Sequence, residues 1–182
     1  MSIRQLNASY VVEEDRVMFR FTTAQNEEYR LWLTRAVVGE LIQHTRNLAV
    51  KKLSQDHSVQ QAKAVAQFKQ QVLQQGAHFT QFEGATRFPL GAEPVLVKGV
   101  QASMQDAVAV MVLQLSRGQS LSLKLGDELL GKLELLLDKM NHAARWALLT
   151  EAAVDSGAAV LGADGKTADD QAAVVPTSKV LH

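Results

Sequence analysis

EYRLWLTRAVVGEL (Glu28–Leu41) and SLSLKLGDELLGKL (Ser120–Leu133) carry one pattern with few identities. With Thr34 set on Gly126, Tyr29, Leu31 and Leu33 fall on Leu121, Leu123 and Leu125. Each trio alternates with other residues, which predicts a strand with one apolar face. Thr34 and Gly126 come next, and both are acceptable helix N-caps. Val37, Val38 and Leu41 then fall on Leu129, Leu130 and Leu133 at helical spacing, and Gly39 falls on Gly131. Glycine inside a helix costs about 1 kcal/mol relative to alanine, so its recurrence implies close approach of another backbone.

The match extends upstream. Phe19, Phe21 and Thr23 fall on Met111, Leu113 and Leu115, and the turn AQNEE falls on SRGQS with Asn26 over Gly118. Both residue types tolerate a left-handed turn. One strand earlier, IRQLNASYVV precedes EEDR as PVLVKGVQASM precedes QDA. The expectation is an α+β fold made of two duplicated βββα units, residues 1–53 and 94–149, packed as a pseudo-symmetric pair. Between them, residues 54–93 supply a linking helix and a loop. Ala62, Val65, Phe68, Val72 and Phe79 have helical spacing there, Gly76 ends the helix, and FEGATRFPLGAEP reads as loop. Residues 150–182 lack aromatics and read as a mobile acidic tail.

Composition narrows the function classes. At 182 residues, 47% hydrophobic and 21% charged, the chain suits a soluble globular protein that needs no staples. The absence of cysteine excludes disulfides, thiolate nucleophiles and cysteine-ligated metal centres. No secretory h-region or membrane-length apolar run is present, so a cytoplasmic location and no membrane partner are expected. Five carboxylates and two lysines give residues 151–182 a net charge of −3, leaving +3 on residues 1–150. That balance permits an anionic partner.

Chemical motifs are weak. GADGKT (Gly162–Thr167) lacks the first glycine of a phosphate loop, because Val160 stands in its place. Glu40 with His44, and Asp138 with His142, have the i, i+4 spacing of helical metal ligands, but spacing supplies no third ligand. Glu13, Glu14 and Asp15 read as a solvated turn. No cofactor, metal or catalytic residue is expected, and an enzyme would need a site assembled from distant residues.

Two surfaces stand out. If Phe19, Phe21, Tyr29, Leu31 and Leu33 face the core, alternation turns Arg16, Met18, Arg20, Arg30 and Trp32 outward. Arg16, Arg20, Arg30 and Trp32 then form a candidate binding face for phosphates and bases, a cation–π cluster that supports the sheet, or an interface anchor. In the second unit Val108, Val110 and Val112 alternate with Ala109, Met111 and Leu113, so both faces are apolar. Such a strand is covered on both sides, by the linking helix or by another subunit, and the three valines are candidate interface residues. The linking region adds Arg46, Lys51, Lys52, Lys63 and Lys69, read as a solvated helix face, a phosphate-tracking surface or a coiled-coil partner face.

EDRVMFRF and EYRLWLTR resemble a signature shared by a group of short uncharacterised proteobacterial proteins. That resemblance covers the first quarter of the chain and implies no activity. In topology, two meander-plus-helix units resemble the Whirly and PUR-type single-strand binding folds, which have four strands per unit where three are read here. The leading expectation is a non-enzymatic interaction or assembly protein that self-associates or binds a protein partner. The alternative is a single-stranded nucleic-acid binder.

Overall fold

The computed structural model describes residues 1–54, 58–76, 81–106 and 108–148. The tail expected over 150–182, GADGKT, His57, His78 and Phe79 lie outside these residues. The described residues form a mixed α+β fold. In chain order they are β1 (Ile3–Val11), β2 (Arg16–Thr23), β3 (Glu28–Leu33), α1 (Arg35–Leu53), α2 (Val59–Gly76), β4 (Val95–Gln105), β5 (Val108–Leu115), β6 (Ser120–Leu125) and α3 (Asp127–Ala143). None of these helices is long and apolar enough to cross a membrane.

Alternation decides which side chains enter the core. Val17, Phe19 and Phe21 of β2, and Tyr29, Leu31 and Leu33 of β3, are all buried. So are Ala109, Met111, Leu113 and Leu115 of β5, and Leu121, Leu123 and Leu125 of β6. Phe21 stacks on Tyr29 with ring centroids 4.7 Å apart. One face of the sheet therefore meets the apolar sides of α1 and α3 in one continuous core.

Each meander is antiparallel, and both tight turns place a left-handed residue at the same point, Asn26 (φ 58°) and Gly118 (φ 76°). The turn bonds correspond too. Thr23 N donates to Glu27 O as Leu115 N donates to Gln119 O, and Asn26 N donates to Thr23 O as Gly118 N donates to Leu115 O. The Thr34 hydroxyl caps α1 by accepting from Val37 N. Gly126 begins α3 without a side-chain cap, and Asp127 and Glu128 in the first turn suit the positive end of the helix.

The meanders join edge to edge. β3 and β4 pair in parallel through Leu31 with Val95 and Trp32 with Leu96, giving one six-stranded sheet in the order β1-β2-β3-β4-β5-β6. Helix packing crosses between the halves, with α1 against β4 and α3 against β1. Gly39 does not serve a close backbone approach. A Cβ there would meet the Leu148 side chain at 3.8 Å, an ordinary contact.

The stretch after α3 returns to the first turn of the chain. Trp146 is 5% exposed, and its Nε1 donates to Asp15 Oδ1 at 2.8 Å. Tyr10 Oη donates to the same oxygen at 2.7 Å, and its ring meets the indole edge-on at 5.5 Å. Arg35 donates to the Trp146 carbonyl at 3.0 Å. Hydrogen bonds from Tyr10 and Trp146, together with the charge of Arg35, hold the Asp15 carboxyl below its ordinary range. Asp15 thus ties the β1–β2 turn to the exit of α3, a role that its charged neighbours hide in the sequence.

Candidate functional site

Arg16, Arg20, Arg30 and Trp32 share the outer face of the first meander. Arg20 stands directly opposite Arg30, and Met18 opposite Trp32. Two like charges facing each other across strands repel, so the face requires compensation. Glu28 provides part of it. This carboxylate is 1% exposed; Oε1 accepts from Arg30 Nε at 2.7 Å and Oε2 from Ala85 N at 3.1 Å. Burial alone would raise its pKa. The hydrogen bonds from Arg30 and Ala85, with the charges of Arg30 and Arg20, outweigh burial and leave it lowered.

Residues 81–94 lie over this face. Phe82 covers the Arg20 guanidinium at 4.6 Å, and Phe88 covers that of Arg30 at 4.6 Å. The carbonyl of Ala92 accepts from Arg30 at 3.1 Å. Arg87 bridges in parallel to Glu27, and Glu28 N donates to Arg87 O at 2.7 Å. Glu83 pairs with Arg4, and its amide donates to Gln5 Oε1. A loop read from its prolines and glycines is thus an ordered cover with two aromatic–cation contacts. The available signal was two phenylalanines six positions apart in a polar stretch beside a chain with outward arginines. Arg20 and Arg30 are half-buried under the loop, Arg16 pairs with Glu14 at 3.6 Å, and Trp32 is half-buried.

Where the cover ends, the sheet face opens into a concavity of about 470 Å³ lined by Ser9, Val11, Met18, Arg20, Arg30, Ala92, Glu93 and Pro94. Arg20 donates to a neutral acceptor there, Asn7 Oδ1 at 2.9 Å, and its Nε is buried without a hydrogen-bond partner.

The three valines of β5 differ in exposure. Val110 is 3% exposed, Val112 is half-buried and Val108 is 39% exposed. Around them Gln101, Ser103, Gln105, Ser122 and Lys124 face solvent. The apolar stripe of α2 is divided, with its second half turned outward. Ala62 is fully buried, whereas Phe68 is 66% exposed and Val72 52% exposed.

The basic residues of the linking region are partly neutralised. Lys52 pairs with Asp127. Arg46 of α1 meets Glu134 at 3.4 Å and Asp138 at 3.1 Å on α3, and Gln70 of α2 donates to Asp138 at 2.6 Å. Three helices therefore converge on two carboxylates. Burial and the charge of Asp138 raise the Glu134 pKa against the opposing pull of Arg46; burial likewise raises Asp138 despite Arg46. The native state thus holds protons more readily there than the unfolded chain. The associated stability is present near pH 4 and is lost as pH rises through the raised native pKa values. Glu134→Gln is expected to raise Tm by about 3 °C at pH 7, the scale of ~1 kcal/mol. Melting curves at pH 4 and pH 7 check this, because the gain should vanish at pH 4.

The two i, i+4 pairs noted in the sequence have other partners. Glu40 accepts from Val100 N at 3.2 Å, and His142 Nδ1 lies 2.9 Å from the Asp138 carbonyl. Among the described residues no group of three histidine or carboxylate side chains is placed to hold a metal ion. Compared with protein-family models, curated proteins and solved structures, the chain matches none.

Proposed function

We propose that this chain is a cytoplasmic, non-enzymatic interaction protein that self-associates through the solvent face of α2. The observation that carries the reading is the exposure of Phe68 and Val72 on a helix with no acidic residue. Val65 lies one turn before Phe68 and Val72 one turn after it. An antiparallel copy related by a two-fold axis near Phe68 sets Phe68 beside Phe68 and brings Val65 within one residue's rise of Val72, the self-complementarity an isologous contact needs. Lys63 and Lys69 fall to either side of the stripe, so the central seam is uncharged.

An 18-residue helix is about 27 Å long. Its one face offers less than the roughly 800 Å² per partner of a stable interface, so a weak, concentration-dependent dimer follows. Phe68→Glu should weaken it by at least about tenfold while leaving the fold intact, because the side chain is exposed. Sedimentation equilibrium over a hundredfold range of concentration tests this. A monomer at every concentration would end the reading.

A second reading is single-stranded nucleic-acid binding by Arg16, Arg20, Arg30 and Trp32. It is favoured by their shared face and by Arg16, whose side chain is 41% exposed. It requires anisotropy of a labelled oligonucleotide that falls steeply with salt and is lost in Arg16→Ala.

The two halves are best understood as one duplicated βββα unit. Equivalent elements begin 92 positions apart, Ile3 with Val95, Arg16 with Val108, Glu28 with Ser120 and Arg35 with Asp127. Matching turn bonds support this origin. The second unit keeps a polar-flanked valine stripe, whereas the first acquires an arginine face with a cover.

A further inference from the structure

We propose that the concavity between β1, β2, β3 and residues 92–94 binds a small monocarboxylate with an apolar body. This is independent of the α2 surface. Partly buried cations are held by carboxylates or strong acceptors, because leaving a charge unpaired away from water is unfavourable. Arg30 meets that condition through Glu28 and the Ala92 carbonyl. Arg20 does not. Among the described residues it meets no carboxylate within 4.0 Å; a neutral amide oxygen and a phenyl face are its partners, and its Nε is orphaned. Two half-buried arginines, Arg20 and Arg30, thus share one buried carboxylate, Glu28, which leaves one positive charge unmatched on the sheet face that lines the concavity.

The rest of the lining narrows the ligand. A volume of about 470 Å³ in an open concavity leaves room for a small ligand held from one side. Val11, Met18 and Pro94 supply an apolar wall, and the Ser9 hydroxyl supplies a polar one. Glu93, exposed at the rim, places a negative charge where a second ligand charge would sit. One cation within and one carboxylate at the mouth select a single negative charge over a dianion or a polyanion. A planar carboxylate also suits the guanidinium fork, which presents parallel donors.

Calorimetric titration of the full chain with benzoate, inorganic phosphate and a single-stranded oligonucleotide tests this. Benzoate should bind with a Kd on the order of 1 mM or tighter, and phosphate about tenfold more weakly. Arg20→Gln should weaken benzoate about tenfold. Val11→Asp should do the same by placing a carboxylate in the apolar wall, on a different strand from Arg20. Glu93→Gln should tighten phosphate more than benzoate and so narrow the gap between them, because the repulsion it removes grows with the charge of the ligand. No benzoate binding by the unaltered chain would overturn the proposal. So would benzoate affinity unchanged in both Arg20→Gln and Val11→Asp. An oligonucleotide that displaces benzoate would overturn it in favour of a nucleic-acid strand on this face.

Discussion

Trp146→Ala is expected to lower Tm by about 10 °C. Truncating a buried tryptophan costs about 3–5 kcal/mol, and a domain of this size loses roughly 2–4 °C per kcal/mol. The indole is 5% exposed, packs edge-on against Tyr10 and joins the continuous core. Its Nε1 also supports Asp15. Trp146→Phe keeps much of the ring burial and loses the hydrogen bond, so its penalty should be about 1 kcal/mol. Thermal melts of the two variants separate packing from the polar tie. Equal small shifts in both would show that the return of the chain after α3 contributes little. The pH dependence has a defined sign. Asp15 has a lowered native pKa, so its contribution is present above the unfolded carboxyl value of about 3.9 and is lost as pH falls through the native value. Glu134 runs the opposite way.

Glu28→Ala is the second large effect. It removes a carboxylate that is 1% exposed and holds both Arg30 and the Ala85 amide. The two abandoned donors, one of them charged, set a cost of about 2–3 kcal/mol. Arg20 and Arg30 would then face each other with no negative charge between them. The cover over 81–94 should loosen before the core does. Faster amide hydrogen exchange at Ala85 and Arg87, with exchange at Phe21 and Leu31 preserved, is the expected signature. Exchange that rises equally in β2 and β3 would mean that Glu28 supports the sheet itself. Gly84 belongs to the same arrangement, because a Cβ there would come within 3.2 Å of Glu28 Oε2.

The strands, turns and helix starts were legible because each has a local cause. Alternating Phe19, Phe21, Tyr29, Leu31 and Leu33 point one way along a strand whatever the rest of the chain does. Asn26, Gly118 and Thr34 perform their turn and cap roles with immediate neighbours. What escaped depends on partners far along the chain. The parallel junction of β3 with β4 consists of two residue pairs and leaves no periodic trace. Phe82 and Phe88 look like loop residues until the arginines beneath them are placed. Asp15 resembles its solvated neighbours Glu13 and Glu14, and Trp146, 131 positions away, makes the difference. On α2, helical spacing located an apolar stripe. It does not say whether the stripe turns inward, and the burial of Ala62 beside the exposure of Phe68 shows that much of it does not. For the candidate site, alternation brought Arg16, Arg20, Arg30 and Trp32 to one face, while the concavity depends on Ala92, Glu93 and Pro94 arriving from elsewhere.

The packing of α3 on β1 has a bearing on how the chain is made. Synthesis delivers the N-terminal strand first and its helical partner last, since α3 begins at Asp127. A nascent chain that has emerged only to residue 126 can pair β1 with β2, yet Leu6, Ala8 and Tyr10 then lack part of the layer they pack into. Until α3 emerges, the first meander is a half-covered sheet with an edge at β1, the condition in which strands recruit other chains. Arg4, exposed on that edge strand, is the type of residue that discourages such pairing. Packing of α3 on β1 joins elements far apart along the chain, the kind of long-range contact that slows folding.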